Sequence, residues 1–458
     1  MRGPVIGRIC RSHHQTVRSG ARKAVAGGGC VRHRQGYRVE LAPDAEQMGV
    51  MGRHCGLSRV VENFCLEVVQ KRWAQRKAEE SYGLTGDELT EVPWTAPALE
   101  KLWRAAHPQR FPWFIENKMS SRVPKEACRM RAAGFANYLK SKKGQRKGAR
   151  VGFPSWRKRK HGSRFRYDAD RAKPLDARTV RLPAIGDVAA REDMSWLTAR
   201  LACGAARILG ATIREQSGRW WIAFQLEVDR DEINTRRRVP EYAPKCGIDL
   251  GLRTFAVITN DDDTSEEIHA PKPLRAAQRR LARANRKLAR CVSVSKNRGK
   301  ARERVARLHL RVVNRRRDFL HKTTTRLART KSAIAVETLN VKGMTRNRRL
   351  ARAVSDAGFG EFVRQLGYKA DWYGARLWKA DRWFPSSKTC GAPDCCRIHR
   401  GLVLADRTWV CPGCGVVHDR DRNAASNLLT AMLTALSTVE RPLAGKFPGE
   451  VKRLVEAV

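Results

Sequence analysis

The sharpest alternation of apolar and polar positions runs over residues 220–228, where Trp220, Ile222, Phe224, Leu226 and Val228 fall on one side. A period of two predicts a strand with one buried face. Residues 208–215 suit a partner strand, and the intervening Ser217-Gly218 has the chemistry of a tight hairpin turn. Upstream, folded sequence begins near Tyr37 with a short strand over 38–42, ended by Pro43. Asp44 then reads as the N-cap of a helix in which Met48, Met51, Leu57, Val60 and Val61 recur at helical spacing. Gly49, Gly52 and Gly56 weaken its first half. Further helical segments are predicted at 61–77, 96–106 and 124–143, and the glycines and Pro154 across 140–160 stop any helix there. One early strand, a helical block and then several strands across 165–228 predict a β domain interrupted by a helical insertion. Residues 236–244 read as a linker.

The second half alternates differently. Residues 246–252 and 254–259 predict two adjacent strands, followed by an acidic turn over 261–267. Helices are predicted at 273–290, 300–330, 360–373 and 422–436, with strands at 332–337 and 377–384. Strands alternating with helices around apolar segments indicate an α/β core. A small hairpin is predicted from 402–404 and 408–410 around residues 405–407. No internal repeat is found.

Charge changes the picture. The 458 residues carry 92 Lys+Arg against 45 Asp+Glu, a formal net charge of +47, with 42% hydrophobic residues. That hydrophobic share builds real cores, and the self-repulsion calls for a polyanion, which makes nucleic acid the first partner class. No uncharged run reaches the roughly 20 apolar residues of a spanning helix; the longest, 423–439, is broken by Asn427 and several Thr and Ser. The expectation is a soluble protein without a membrane partner. The first 39 residues hold nine Lys/Arg and no acid, so 1–36 is expected to be a disordered basic arm or to follow from a start assigned too far upstream. Of 13 cysteines, eight are scattered singly and five lie between Cys390 and Cys414. A reducing compartment with one local metal site fits that distribution.

Three carboxylates stand out by position. Asp249 lies in the apolar run Gly247-Ile-Asp-Leu-Gly, Glu337 ends Ala333-Ile-Ala-Val-Glu, and Asp421 stands where the last helix begins, with Asp419 competing for that third place. An acid in an apolar strand is costly unless paired or bound to a cation. At separations of 88 and 84 residues they meet only through the fold. Such a trio offers the hard oxygen ligands that two Mg²⁺ ions need around a phosphate. Cys390 and Cys395 (C-x4-C) with Cys411 and Cys414 (C-x2-C) suit one tetrahedral structural Zn²⁺, with Cys396, His399 and His418 as competing ligands. Residues 272–331 contain 22 Lys/Arg against Glu303 and Asp318, which predicts a phosphate-tracking surface. The candidate contacts are Arg279, Arg280, Arg283, Arg286, Lys287, Arg315 and Arg316. The window 140–160 adds Arg157, Lys158 and Arg159, interleaved with Phe153 and Trp156 and followed by Phe165 and Tyr167, for base stacking or for core packing.

Read in order, several stretches resemble the TnpB family of insertion-sequence proteins, OrfB-type relatives of type V CRISPR effectors. They are Gly247-Ile-Asp-Leu-Gly-Leu-Arg-Thr-Phe-Ala-Val, Ala335-Val-Glu-Thr-Leu-Asn-Val-Lys-Gly-Met, Pro385-Ser-Ser-Lys-Thr-Cys, Cys411-Pro-Gly-Cys-Gly and Asp419-Arg-Asp-Arg-Asn-Ala-Ala-Ser-Asn-Leu. The early Leu41-Ala-Pro-Asp-Ala-Glu-Gln also fits the family's opening. The resemblance implies a multidomain α/β protein with an RNase H-like RuvC nuclease core, split over 241–385 and 418–436. It implies a zinc-ribbon insert at 386–417, a β-barrel wedge domain at 37–45 and 149–240, a helical recognition insert at 46–148, and a tail at 437–458. It further implies an RNA-guided DNA endonuclease whose partners are a guide RNA from the element's end and matching double-stranded DNA beside a short motif. A small DNA transposase encoded by the same element would be a further partner. Carried over by position, Asp249, Glu337 and Asp421 become the Mg²⁺-binding catalytic acids, Asp421 being preferred because it stands two residues before Asn423. Cys390, Cys395, Cys411 and Cys414 become the zinc ligands, although the C-x4-C knuckle departs from the usual C-x2-C and leaves Cys395 against Cys396 open. The alternatives are a strand-transferring transposase and a nuclease-idle guided DNA-binding regulator.

Overall fold

The computed structural model describes residues 32–146, 148–159, 162–169, 171–229, 238–403 and 405–440. The expected basic arm up to residue 31 and the tail from 441 lie outside the described residues. Two compact units divide after Asp231.

In the first unit, β1 (Arg32–Ala42) is longer than the sequence pattern predicts. Residues 32–36, expected within a disordered arm, pair with Asp229 to Gln225, because β1 lies antiparallel along the whole of the final strand of the unit. The helical insertion follows: α1 (Ala45–Ser81), α2 (Ala96–Arg110), α3 (Trp113–Glu116) and α4 (Arg122–Lys142). Asp44 and Gln47 form a reciprocal capping box at the start of α1. The three glycines do not interrupt α1: burial of Met51, Leu57, Val61 and Phe64 outweighs their cost. The chain then returns through β2 (Arg164–Asp168), β3 (Lys173–Pro174), β4 (Thr179–Leu182), β5 (Gly186–Ala190), α5 (Ser195–Ala202), β6 (Ala206–Gln216) and β7 (Arg219–Asp229). These strands and β1 form one sheet in the order β2-β6-β7-β1-β5-β4-β3. The β6–β7 hairpin closes from Gln216 to Arg219, with Ser217 and Gly218 both at positive φ (55° and 74°), the backbone of a two-residue primed turn.

The second unit is built on β8 (Lys245–Asp249), β9 (Ala256–Asn260), β10 (Ser265–Ile268), β11 (Ala333–Val336) and β12 (Arg376–Lys379), in the order β10-β9-β8-β11-β12. Strands β8, β11 and β12 run parallel, and β9 and β10 antiparallel. The acidic turn is shorter than predicted: Glu266 and Glu267 lie on edge strand β10. Between β10 and β11 run α6 (Pro273–Arg290) and α7 (Lys296–Thr330). Between β11 and β12 run α8 (Val341–Met344), α9 (Ala351–Ala357) and α10 (Phe359–Tyr373). The last elements are β13 (Thr408–Val410), β14 (Val417–Asp419) and α11 (Arg420–Glu440).

Alternation along the parallel strands sorts side chains to two faces. Cys246, Ile248, Ile334 and Val336 pack with Leu320, Leu327, Phe359, Phe362 and Leu366 of α7 and α10. Ala333 and Ala335 face the other way and pack on Leu428, Leu429 and Met432 of α11. Counting on by two along each strand, Asp249 and Glu337 belong to the α11 face. Among the described residues, 402–403 do not pair with 408–410 as the predicted hairpin requires. Leu402 is buried with Cys390, Trp409 and Cys411, and β13 pairs instead with β14 across Cys411–Cys414.

Candidate active site and metal centre

The strands set the first two acids side by side. Val336 is level with Ile248 across the parallel pair, so Asp249 and Glu337 are the next residues on adjacent strands and point the same way. The third acid is placed by a glycine. A Cβ on Gly247 would lie 2.0 Å from the carbonyl oxygen of Ala425, so only glycine lets α11 settle backbone-to-backbone on β8. Two residues further along β8 is Asp249, and one turn earlier on α11 is Asp421. The close approach therefore fixes their register. Burial first, then the Glu337 carboxylate and a hydrogen bond with it, raise the Asp249 carboxyl well above the ordinary carboxylate range; Asp421 adds to this and Arg420 opposes it. Asp419 is turned to another task, its Oδ1 accepting from the Arg422 N–H (2.8 Å) at the helix start. Of the two candidates, Asp421 is the one whose charge acts on Asp249.

Sequence reasoning gave no role to the residues that hold the acids. Ser386 is buried and donates its hydroxyl to Glu337 Oε1 (2.8 Å). Asn427 Nδ2 donates to the Ser386 and Thr389 carbonyls (both 2.8 Å). Asn423 Nδ2 donates to Thr389 O (2.7 Å) and its Oδ1 accepts from Gly391 N–H (2.9 Å). One face of α11 thus grips the segment that supports Glu337. The only signal in the sequence was two amides at i, i+4 beside the apolar positions of this helix. Arg407 Nη1 reaches both oxygens of Asp421 (3.2 and 3.3 Å). Asp249 and Glu337 share a hydrogen bond, the Asp421 charge acts on Asp249 and the Ser386 hydroxyl joins Glu337; this all-oxygen set of excess negative charge fits Mg²⁺.

The sulfur site is compact. The thiols of Cys390, Cys395, Cys411 and Cys414 all lie within 4.8 Å of one another. The Cys390–Cys414 and Cys395–Cys411 pairs are 3.6 Å apart. A tetrahedral zinc with 2.3 Å bonds spaces its sulfurs ~3.8 Å apart, so the donor set fits. Backbone N–H groups of Cys414 and Gly413 draw the Cys411 thiol down to about 6, while burial pushes Cys390 up and, against the Arg397 N–H, neighbouring thiols push Cys395 up. Cys396 is exposed, at φ 43°, and outside the cluster; His418 Nε2 contacts the Cys390 sulfur at 3.0 Å.

The cationic residues divide. Arg280, Arg283 and Lys287 of α6 face Arg304, Arg307 and Arg311 of α7 across a 480 Å³ cleft floored by Ala284, Ala301 and Leu308. None of these six has an ion-pair partner among the described residues. Arg279, Arg286 and Arg315 are exposed, as are Lys158 and Arg159. One expectation needs correction: Arg157 is buried and paired with Glu62, inside the protein, whereas Arg316 is half-buried and paired with Asp356 (3.6 Å). Phe165 and Tyr167 are fully buried and Phe153 packs against Trp73, Phe135 and Tyr138, so core packing prevails over stacking there. Of that group Trp156 is exposed.

An OrfB family profile of the IS605 type, described as "Probable transposase", matches residues 223–348. A "Cas12f1-like, TNB domain" matches 359–428. An OrfB "Helix-turn-helix domain" matches 33–78, residues that fold here as β1 and the single helix α1. A Streptomyces pristinaespiralis protein named "Putative RNA-guided DNA endonuclease" is 33% identical over 88% of this chain and 90% of its own length. The chain belongs to the TnpB family. A Mycobacterium tuberculosis relative of the same description is 34% identical, covering 89% of this TnpB chain and 88% of its own. An Escherichia coli one is 27% identical, covering 90% and 96%. Among solved structures, a Cas12f1–sgRNA–target DNA complex aligns at TM-score 0.46 and 12% identity, over 87% of this chain and 98% of that one.

Proposed function

We propose that this TnpB protein is an RNA-guided, Mg²⁺-dependent DNA endonuclease of a transposable element, cutting DNA that pairs with its guide beside a short flanking motif. The observation that carries the reading is the meeting of Asp249, Glu337 and Asp421 at the carboxyl edge of the parallel strands, in a chain whose relatives bear that name. Asp249, Glu337 and Asp421 would hold two Mg²⁺ ions. When bound, these supply water activation and charge stabilisation for hydrolysis of a phosphodiester. Ser386 holds the Glu337 carboxylate in one rotamer, and Asn423 and Asn427 keep that support rigid. Asp249, held above the ordinary carboxylate range by burial and Glu337, would have to give up its proton for cations to be held there. Arg407 compensates Asp421 until then.

On this reading 241–385 and 418–436 form a split RuvC-like nuclease domain of RNase H-like fold. Residues 386–417 are a zinc ribbon that meets target DNA, with Cys390, Cys395, Cys411 and Cys414 as ligands. Residues 37–45 and 149–240 are a β-barrel wedge domain, with 46–148 as its helical recognition insert. The unpaired cations of the α6–α7 cleft, with Arg279, Arg286 and Arg315, hold nucleic-acid phosphates by charge alone, which suits a partner of variable sequence. The guide RNA comes from the element's end, and the protein acts in the prokaryotic cytoplasm at the nucleoid. Among the described residues no helix is long and apolar enough to cross a membrane.

The test begins with the RNA that co-purifies when the protein is expressed beside its flanking DNA. The loaded protein should cut a matching plasmid in Mg²⁺. Asp249→Ala should abolish cutting and keep RNA and DNA binding; retained cutting overturns the assignment. The name of the matching profile favours one second reading, strand transfer. Joining of element ends by this protein alone would establish it.

A further inference from the structure

Trp383 is 80% exposed, an unusual position for an indole. It is not on a loose loop. Ala380 is fixed on both sides, its N–H donating to Val336 O (3.0 Å) and its carbonyl accepting from Thr338 Oγ1 (2.7 Å). The Trp383 N–H donates to Asp381 Oδ1 (2.8 Å), closing a turn. Phe384 packs against the α11-side core, and Ser386 is the residue bonded to Glu337. With the chain pinned on either side, Trp383 is held outward, and the Arg382 guanidinium lies 5.0 Å from its ring centroid.

Its place in the sheet gives this display a meaning. Strands β8, β11 and β12 are parallel neighbours. Asp249 ends the first, Glu337 follows the second, and Trp383 follows the third, all at the carboxyl edge where such sheets bind ligands. Tyr242, 91% exposed, precedes β8 and so lies at the opposite edge. An outward indole beside a guanidinium is the platform on which an unpaired base stacks, with the cation for its phosphate. A base inside a duplex is already stacked on its neighbours and cannot use it. We infer that Trp383 is a positioning residue that stacks an unpaired base of the DNA strand presented to Asp249, Glu337 and Asp421, with Arg382 at the adjoining phosphate.

The inference rests on the nuclease reading, and its test separates the two. Guide-loaded protein is assembled on target DNA, and single-turnover cutting is timed for wild type, Trp383→Ala and Trp383→Phe. Trp383→Ala should slow cutting about tenfold, the loss expected for one stacked base, while target affinity holds. Trp383→Phe should recover most of the rate, which a merely misfolded turn would not allow. In parallel, 2-aminopurine is walked through the cut region of the DNA in Asp249→Ala complexes. One position should be quenched with Trp383 and brighten when Trp383→Ala is added. Equal cutting rates together with no position that brightens would overturn the inference. If the wild-type complex holds DNA without cutting it, the nuclease reading falls, and the 2-aminopurine signal still decides whether Trp383 stacks a base.

Discussion

Gly247 governs where the last helix lands, and so whether three acids meet. Ala at this position would push its Cβ into the Ala425 carbonyl and the Leu429 N–H, at 2.0 and 2.7 Å. Backbone cannot yield as a side chain does, so α11 must lift from β8. Gly247→Ala is expected to cost roughly 1–3 kcal/mol of stability and to abolish cutting while bound zinc stays at one equivalent. Full activity in the alanine variant would show that α11 does not take its register from this approach. Ser386→Ala removes only the hydrogen bond to Glu337 Oε1, and a rate loss of about 10- to 100-fold at unchanged DNA affinity is expected. Single-turnover kinetics in saturating Mg²⁺ check it. Asp249 and Glu337 stood out as candidates because a carboxylate in an apolar strand is conspicuous, and Asp421 by its place at the start of the last helix. Ser386, Asn423 and Asn427 were visible only as motif letters, since their partners are backbone groups brought near by folding. Arg157 misled because a charge count cannot tell a cation paired inside from one facing solvent.

Among the elements, the start of α1 and the β6–β7 hairpin follow local chemistry closely: a capping box decides the first, and a primed turn with strict alternation the second. The cysteine-bearing segment does not. Its β13–β14 pair encloses the Cys411–Cys414 knuckle, where the sequence suggested a hairpin from 402. A segment this small has little apolar area, and its core is Leu402 and Trp409 packed on two of the cysteines. Cys411→Ser should therefore lower bound zinc towards zero and expose 386–419 to protease while the β8–β12 sheet survives; unchanged zinc would refute the ligand set. The α7–α10 interface carries a pH signature. Lys369 is buried, and its ammonium donates to His321 O, Thr324 Oγ1 and Thr325 Oγ1 at 2.7–2.8 Å. Burial, with Arg364 adding and Glu361 opposing, lowers it from 10.5 to about 7, and the neighbouring His321 is itself drawn down to about 4. Between those two lysine values the unfolded chain keeps the proton that the folded chain gives up. Stability contributed by the neutral amine is thus complete above 10.5 and lost as pH falls through about 7. The urea midpoint should rise between about pH 7 and pH 9.5, and Lys369→Met should flatten that rise. An equal rise in both proteins would assign the slope to other groups.

At the scale of the whole molecule, a net charge of +47 makes every nucleic acid attractive, so affinity alone says little about where phosphates lie. The informative quantity is the salt slope, because each neutralised phosphate releases a counterion, while charge far from the ligand is screened over about 8–10 Å. The structure separates two kinds of cation on the same helix. Arg304, Arg307 and Arg311 face the α6–α7 cleft without ion-pair partners among the described residues. Lys322 and Arg326 are held by Asp318 (2.9 Å) and Glu266 (2.6 Å). Replacing the first three with Gln should reduce the slope of log K against log salt by about 0.7–0.9 for each phosphate left without its cation, so by roughly two to three in all. Replacing Lys322 and Arg326 takes away two of the five charges and should leave the slope nearly as it was. If both sets change the slope in proportion to the charge removed, the protein binds as a diffuse polycation and the cleft has no special part. A reduction confined to the cleft set would place the nucleic-acid backbone between α6 and α7.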